Sequence, residues 1–421
     1  MSKIVIDVEE NFHKAVRIKA IEEGLTMKDF IVKTVLDAIG NNSSKIKLCI
    51  NKYMKKILII AILLFMSTNS FAVEKTLSDY GFTVNDKTPA FALLVIKDGK
   101  TIFKSVAGCA RFDRKTKKCL LKADIDTAFS IQSMTKHFVA AGILMLEEEG
   151  KLSTEDEITK YLDLPKKFDG IKIKHLIFHT SGIPDFWGDV DFDFETMAKK
   201  NEKLTIKNII KVIKKLEPKP FGVNFSYSNS AYVLLGQIVA KISGQTLEQF
   251  LKERIFDKFD MKNTFMSLSI ESQQNYALPY SPWPILKEES WSKVVELTAE
   301  GGIWMSINDY EKWINIFDNK KIFKKKETME KYLSRGKFND GTDITGFRGQ
   351  RQDSYGFGIS FEEIKYNRKK YNTLSHGGGF PGAASNFTKF IDQNIWVVNF
   401  NNNATYPSVF DLLEMVNIKI D

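Results

Sequence analysis

The sequence predicts an α/β (α+β) fold: an antiparallel sheet built from both ends of the chain, flanked by helices, with a helical region inserted between. Three observations predict it. Residues 90–96 and 101–106 are apolar, strand-like runs around Asp98-Gly99, the signature of a β-hairpin with a tight turn. Strand-like runs return late, at residues 355–361, 371–375, 386–391 and 395–400, the last two joined by Asp392-Gln393-Asn394. From Ser133 to about Phe323, helical spacing dominates instead.

The chain opens with a separate small element, residues 1–42. Ile4, Ile6 and Val8 alternate as in a strand, residues 10–23 are helical in pattern up to Gly24, and Thr26-Met27-Lys28-Asp29 starts a second helix ending near Gly40. This strand-helix-helix order resembles ribbon-helix-helix proteins. The resemblance implies DNA contact and dimerisation through residues 1–40, with Lys3, Val5 and Asp7 facing the groove. A generic cap or tail is the alternative. Residues 43–72 form a linker and a secretion-signal-like segment. Lys55 and Lys56 precede a short apolar core through Met66, and Ser70-Phe71-Ala72 places small residues at a cleavage position. The core is too short for an ordinary membrane span of about 20 residues. Residues 73–421 are then a periplasmic or secreted domain; an inner-membrane anchor through residues 55–72 is the alternative.

In that domain, Cys109 and Cys119 bracket a polar loop that follows the first hairpin. A short-loop disulfide and two free thiols are both open. Ser133-Met134-Thr135-Lys136 comes next and opens an amphipathic helical pattern that Gly150 stops. Residues i and i+3 share a helical face, so a hydroxyl and an amine stand side by side. The positive helix N-terminus and burial both disfavour ammonium on Lys136. A neutral Lys136 can take the proton of Ser133 and make it a nucleophile. Ser-x-x-Lys also occurs at Ser44/Lys47, Ser290/Lys293 and Ser334/Lys337, all in polar or turn-like sequence.

Two further motifs strengthen this reading. Tyr227-Ser228-Asn229 is the only Tyr-x-Asn of the chain. In an extended segment its phenol and amide face one cleft, one for proton transfer and one for holding substrate. His376-Gly377-Gly378-Gly379 follows the strand-like 371–375, where glycines admit close backbone approach and a free N–H can complete an oxyanion hole. A core tyrosine beside a turn and a Gly-rich turn are the bland alternatives. Phe186, Trp187, Tyr280 and Trp283 either line the cleft or pack loops. Pro407 to Ile418 reads as a closing helix.

With three motifs in this order, residues 77–418 resemble the penicillin-recognising serine hydrolases, in their class C β-lactamase-like branch with its esterases and D-amino-acid peptidases. Residues 175–184 (His-Leu-Ile-Phe-His-Thr-Ser-Gly-Ile-Pro), residues 227–236, the turn at 256–264 and the "AxGG" helix start at 299–303 extend the resemblance. It implies a β-lactamase/transpeptidase-like fold and the following roles. Ser133 would be the acylated nucleophile, Lys136 its base, and Tyr227 the proton shuttle. Asn229 would orient substrate, and the N–H groups of Ser133 and Gly379 would form the oxyanion hole. His376, Gly377, Gly378 and Gly379 would face substrate. His179 reads as a structural brace. The family's lactamases usually have Lys-Thr-Gly at the third motif. A histidine there is only partly charged near neutral pH, which favours ester or amide substrates, including D-amino-acid peptides, over β-lactams and free C-termini. A β-lactamase or D-alanyl-D-alanine carboxypeptidase is the runner-up, and a catalytically silent fold in a DNA-binding regulator is the alternative of another class.

Other chemistries find no support. No Gly-x-Ser-x-Gly occurs, as a nucleophile elbow needs, and no His-Glu-x-x-His, so neither metal nor cofactor is expected. Length 421, 43% hydrophobic and 27% charged, is ordinary for a folded enzyme, and the net charge of +9 reads as solvated lysine rather than a nucleic-acid surface.

Overall fold

In the computed structural model of the chain, the first hairpin forms around Asp98 and Gly99, both left-handed at φ +53° and +72°, as a type I′ turn requires. It joins β1 (Phe91–Lys97) to β2 (Lys100–Ala107). The described residues are 87–188, 194–281, 287–345 and 353–420, all within one unit spanning Lys75–Asp421. The ribbon-helix-helix-like segment 1–42, the segment 43–72 and Trp283 lie outside them.

A second, short ribbon pairs β3 (Cys109–Phe112) with β4 (Cys119–Lys122), where the sequence shows only a polar loop. The two cysteines are bonded, with their α-carbons 5.7 Å apart. Tyr280 is buried beside them: its hydroxyl accepts from the Phe112 N–H at 2.8 Å and its ring meets Phe112 edge-on. Tyr280 therefore packs the loop, and so does the fully buried Phe186.

Three strands of three or four residues interrupt the expected helical region: β5 (Ala128–Ser130), β6 (Thr264–Met266) and β7 (Ile303–Ser306), paired in the order β5-β7-β6. The Ala299–Ile303 stretch is consequently a turn entering a strand, not a helix start. The helix begins later, where Ser306 caps Ile307–Asp318 by accepting the Asp309 N–H.

The late strands are β8 (Ser354–Tyr355), β9 (Ser360–Tyr366), β10 (Lys369–Phe380), β11 (Ala383–Phe390) and β12 (Ile395–Asn401). With the first hairpin they make one seven-stranded antiparallel sheet, ordered β2-β1-β12-β11-β10-β9-β8. The expected strand at 355–361 is broken because the left-handed Gly358 packs against the His137 backbone, where a β-carbon would sit 2.5 Å from its nitrogen. Asn367 and Arg368, both left-handed, close the β9–β10 hairpin without a glycine. β10 is longer than expected. His376-Gly377-Gly378-Gly379 lies inside it rather than in a turn after it.

β1 is buried on both faces, which is why its sequence is apolar throughout instead of alternating. Ala92, Leu94 and Ile96 join the main core with the inserted helices; Phe91, Leu93 and Val95 pack with Leu412 and Leu413 of the closing helix Val409–Met415. At the centre of the main core lies α1 (Thr135–Glu148). Its residues from Thr135 to Leu146 are all buried, so it is enclosed on every side rather than amphipathic. Each fully buried Leu or Ile there contributes roughly 1.5–3 kcal/mol, which fixes the helix that carries Lys136. Against it packs α2 (Asn229–Ser243), with Ser228 as its N-cap.

Candidate active site

Ser133 sits in a 3-10 turn, Gln132–Met134, immediately before α1. Gln132 is held at φ +47°, an unfavourable conformation for a side-chain-bearing residue and one found where a site over-determines the backbone. Its amide donates to Ser130 Oγ at 2.6 Å. Ser133 itself is partly accessible, while Lys136, one turn on, is fully buried beneath it.

Lys136 Nζ has three oxygen neighbours: Ser133 Oγ at 3.1 Å, Asn229 Oδ1 at 2.8 Å and the Glu300 carbonyl at 2.6 Å. The last two can only accept. A neutral amine has two N–H donors and one lone pair. Donation to Asn229 and Glu300 therefore turns the lone pair to Ser133. Burial pushes the Lys136 pKa down to about 7, against the opposing pull of the Glu300 and Asp185 carboxylates. The amine is thus available as a base near neutral pH.

Tyr227 is hydrogen-bonded to the Ser133 side chain, and burial holds its phenol well above the usual range. Burial thus favours the protonated phenol, which leaves Lys136 as the member of this pair able to accept a proton near neutral pH. The His179 ring lies 4.2 Å from that of Tyr227 and its Nδ1 accepts the Ser228 N–H at 3.0 Å. His179 is fully buried and held well below the ordinary imidazole range by burial. It braces the 226–229 segment, in keeping with the brace expected.

Asn229 is tied at both ends of its amide. Nδ2 donates to Asp185 Oδ2 at 2.8 Å while Oδ1 accepts from Lys136. Asp185 also receives the Asn229 N–H at 3.3 Å. Sequence reasoning missed Asp185, although it directly follows the 175–184 segment. It missed the Glu300 carbonyl too, a backbone group whose side chain gives no sign of its use.

The third motif is placed differently from expectation. β9 pairs with β10 only as far as Ser375, so the His376–Phe380 stretch leaves β9 behind and runs beside the Ser133 turn. Gly378 touches that turn: a β-carbon on it would lie 2.3 Å from the Ile131 carbonyl and 2.9 Å from Gln132 Cβ. Gly377 and Gly379 retain exposure on this stretch. His376 does not. It is 3% exposed, with Nε2 2.9 Å from the Tyr355 hydroxyl and Nδ1 2.7 Å from the Gly377 carbonyl. Tyr355 and the strand's own backbone engage both ring nitrogens, and the ring lies 6.4 Å from that of Tyr227.

The other Ser-x-x-Lys pairs separate from this one. Lys293 and Lys337 are exposed and paired with Glu288 and Asp343, and Ser334 bonds to the Lys331 carbonyl. Ser44/Lys47 lies outside the described residues.

Comparison with known proteins agrees with this fold. Residues 72–413 match the family model described as Beta-lactamase. Penicillin-binding protein 4* of Bacillus subtilis is 28% identical over 326 residues, covering 74% of this chain and 67% of that protein. Protein flp of Staphylococcus aureus (strain MW2) is 28% identical over 234 residues, covering 54% and 45%. The chain thus spans two thirds of the first relative's length and under half of the second's. Among solved structures, an octameric penicillin-binding protein homologue from Pyrococcus abyssi aligns with TM-score 0.66 at 23% identity, over 83% of this chain and 77% of that one. D-amino acid amidase from Ochrobactrum anthropi SV3 aligns with TM-score 0.60 at 22% identity, over 81% and 92%. With the family model matching most of its length, the chain belongs to the Beta-lactamase family of serine hydrolases.

Proposed function

We propose that this chain is an exported hydrolase that forms an acyl-enzyme on Ser133 with neutral ester or amide substrates, D-amino-acid derivatives among them. One observation carries the reading: Lys136, buried and with two of its three oxygen neighbours able only to accept, has its lone pair left for Ser133 Oγ 3.1 Å away.

The steps follow from the positions of the groups. Ser133 Oγ attacks the substrate carbonyl carbon while its proton moves to Lys136 Nζ. The oxyanion is received by the backbone N–H groups of Ser133 and Gly379. Collapse breaks the ester or amide bond; the leaving oxygen or nitrogen takes the Tyr227 hydroxyl proton, and Lys136 returns one to Tyr227. Water then attacks the acyl-enzyme by the reverse proton route, releasing the acid and restoring Ser133. Asp185 holds the Asn229 amide so that it points to Lys136 throughout.

The preference for neutral substrates is supported by the third motif. His376 stands where many lactamases carry lysine, and its buried, engaged ring presents no fixed charge to a substrate carboxylate. The name of the Ochrobactrum relative, an amidase of D-amino acids, fits the amide arm of the proposal. Export is supported by the basic and apolar pattern of residues 54–72 and by the Cys109–Cys119 bond, which suits an oxidising compartment. The test is a panel of p-nitrophenyl esters, D-amino-acid amides and a chromogenic cephalosporin on the purified protein. Esters or amides should turn over much faster than the cephalosporin. A cephalosporin hydrolysed as fast as the best ester contradicts the proposal.

A further inference from the structure

Three half-buried rings gather at the end of β10. Phe380 directly follows Gly379, and its centroid lies 5.2 Å from Trp187 and 6.0 Å from Phe194. A fourth ring anchors them from below. Trp291 is 1% exposed, meets Phe380 edge-on at 4.9 Å and donates its indole N–H to the Pro381 carbonyl at 2.7 Å. These are side chains with large apolar area, left partly open to solvent at the end of the strand that runs beside the Ser133 turn.

Their placement ties them to both sides of the reacting centre. Trp187 donates its backbone N–H to Asp185 Oδ1 at 3.2 Å, and Asp185 Oδ2 holds Asn229, the partner of Lys136. Phe380 is one residue beyond Gly379 and two beyond Gly378, which touches Gln132 beside Ser133. Tyr406, 61% exposed, sets its hydroxyl against the open side of Gly379, where a β-carbon would lie 2.1 Å from it. The rings thus adjoin Gly379 along β10 on one side and the Asp185–Asn229 pair on the other.

We infer that Phe380 and Trp187 form the acyl-group subsite and select substrates whose acyl part carries an aryl ring, such as phenylacetyl or phenylalanyl groups. The inference rests on the acyl-enzyme reading above and names its substrate class. Offset or edge-on ring contacts favour an aryl group over a saturated ring of similar size. A single methylene's difference in such a pocket is worth roughly 10–200-fold in kcat/KM, so a whole ring should exceed the lower end of that range.

The experiment compares p-nitrophenyl phenylacetate, cyclohexylacetate and acetate, which share a leaving group, on the full chain. Phenylacetate should exceed acetate by about 10-fold or more and should also exceed cyclohexylacetate. Phe380→Ala and Trp187→Ala should bring the phenylacetate-to-acetate ratio towards one. Phe380→Leu, which keeps apolar volume, should lose the aryl-over-cyclohexyl preference specifically and so separates ring recognition from a packing defect. An unsubstituted protein that cleaves acetate with a ratio near one overturns the subsite alone. Equal rates on phenylacetate and cyclohexylacetate overturn the aryl assignment. Absence of cleavage of all three, together with no labelling of Ser133 by a fluorophosphonate, overturns the acyl-enzyme reading itself.

Discussion

Replacing Lys136 by alanine is expected to lower kcat/KM on an ester by about 10²–10⁴-fold, the usual worth of a positioned general base. The loss should fall on acylation, measured as the pre-steady-state rate of p-nitrophenol release. No other group can easily substitute: Tyr227 is held protonated by burial, and His179 has its Nδ1 committed to the Ser228 N–H. The unsubstituted enzyme should show the matching pH profile. Lys136 works as a base only when neutral, and burial brings its pKa down to about 7. Activity should therefore rise with pH through about 7 and fall below it as the amine takes up a proton. A limb near the ordinary lysine value of 10.5 would mean that the amine is solvated rather than buried.

Gly378→Ala is expected to cost both stability and activity. The new β-carbon would stand 2.3 Å from the Ile131 carbonyl and 2.4 Å from Ser385 Oγ. Ser385 Oγ itself donates to that carbonyl at 2.7 Å, so the methyl would split the contact that joins β11 to the nucleophile's turn. Neither the carbonyl nor the strand is free to move alone. Overpacking of this kind costs roughly 1–3 kcal/mol, and an error of about 1 Å in a reacting group costs on the order of 10²-fold in rate. Calorimetry and ester turnover would both register the change. Gly377→Ala is the steric control for stability, because its β-carbon would meet nothing nearer than 3.7 Å. Equal melting temperatures for the two variants would show that β10 and the Ser133 turn are not in close contact.

What the sequence disclosed was local. Ser133 and Lys136 are one helical turn apart, and Tyr227 and Asn229 are two residues apart, so spacing alone brings each pair to one side. The long strands were legible through their apolar runs, and the Asp98-Gly99 turn through its residue types. Contacts set by tertiary closure were not. Asp185 reaches Asn229 across 44 residues, and the Glu300 carbonyl reaches Lys136 across 164. The engagement of His376 by Tyr355 likewise spans 21 residues. The strands β5, β6 and β7 are too short to show a period, and the Asn367-Arg368 turn lacks the glycine that marks most such turns. Burial of α1 on every side was hidden for a related reason: an enclosed helix and a one-faced helix can share the same apolar spacing.

The central claim is that Ser133 is the acylated atom's residue. It is tested most directly by treating the purified protein with a fluorophosphonate and locating the adduct by peptide mass spectrometry. One equivalent should add at Ser133, slowly in Lys136→Ala and not at all in Ser133→Ala. An adduct on Ser290 or Ser334, or labelling that persists at full rate in Ser133→Ala, would contradict it.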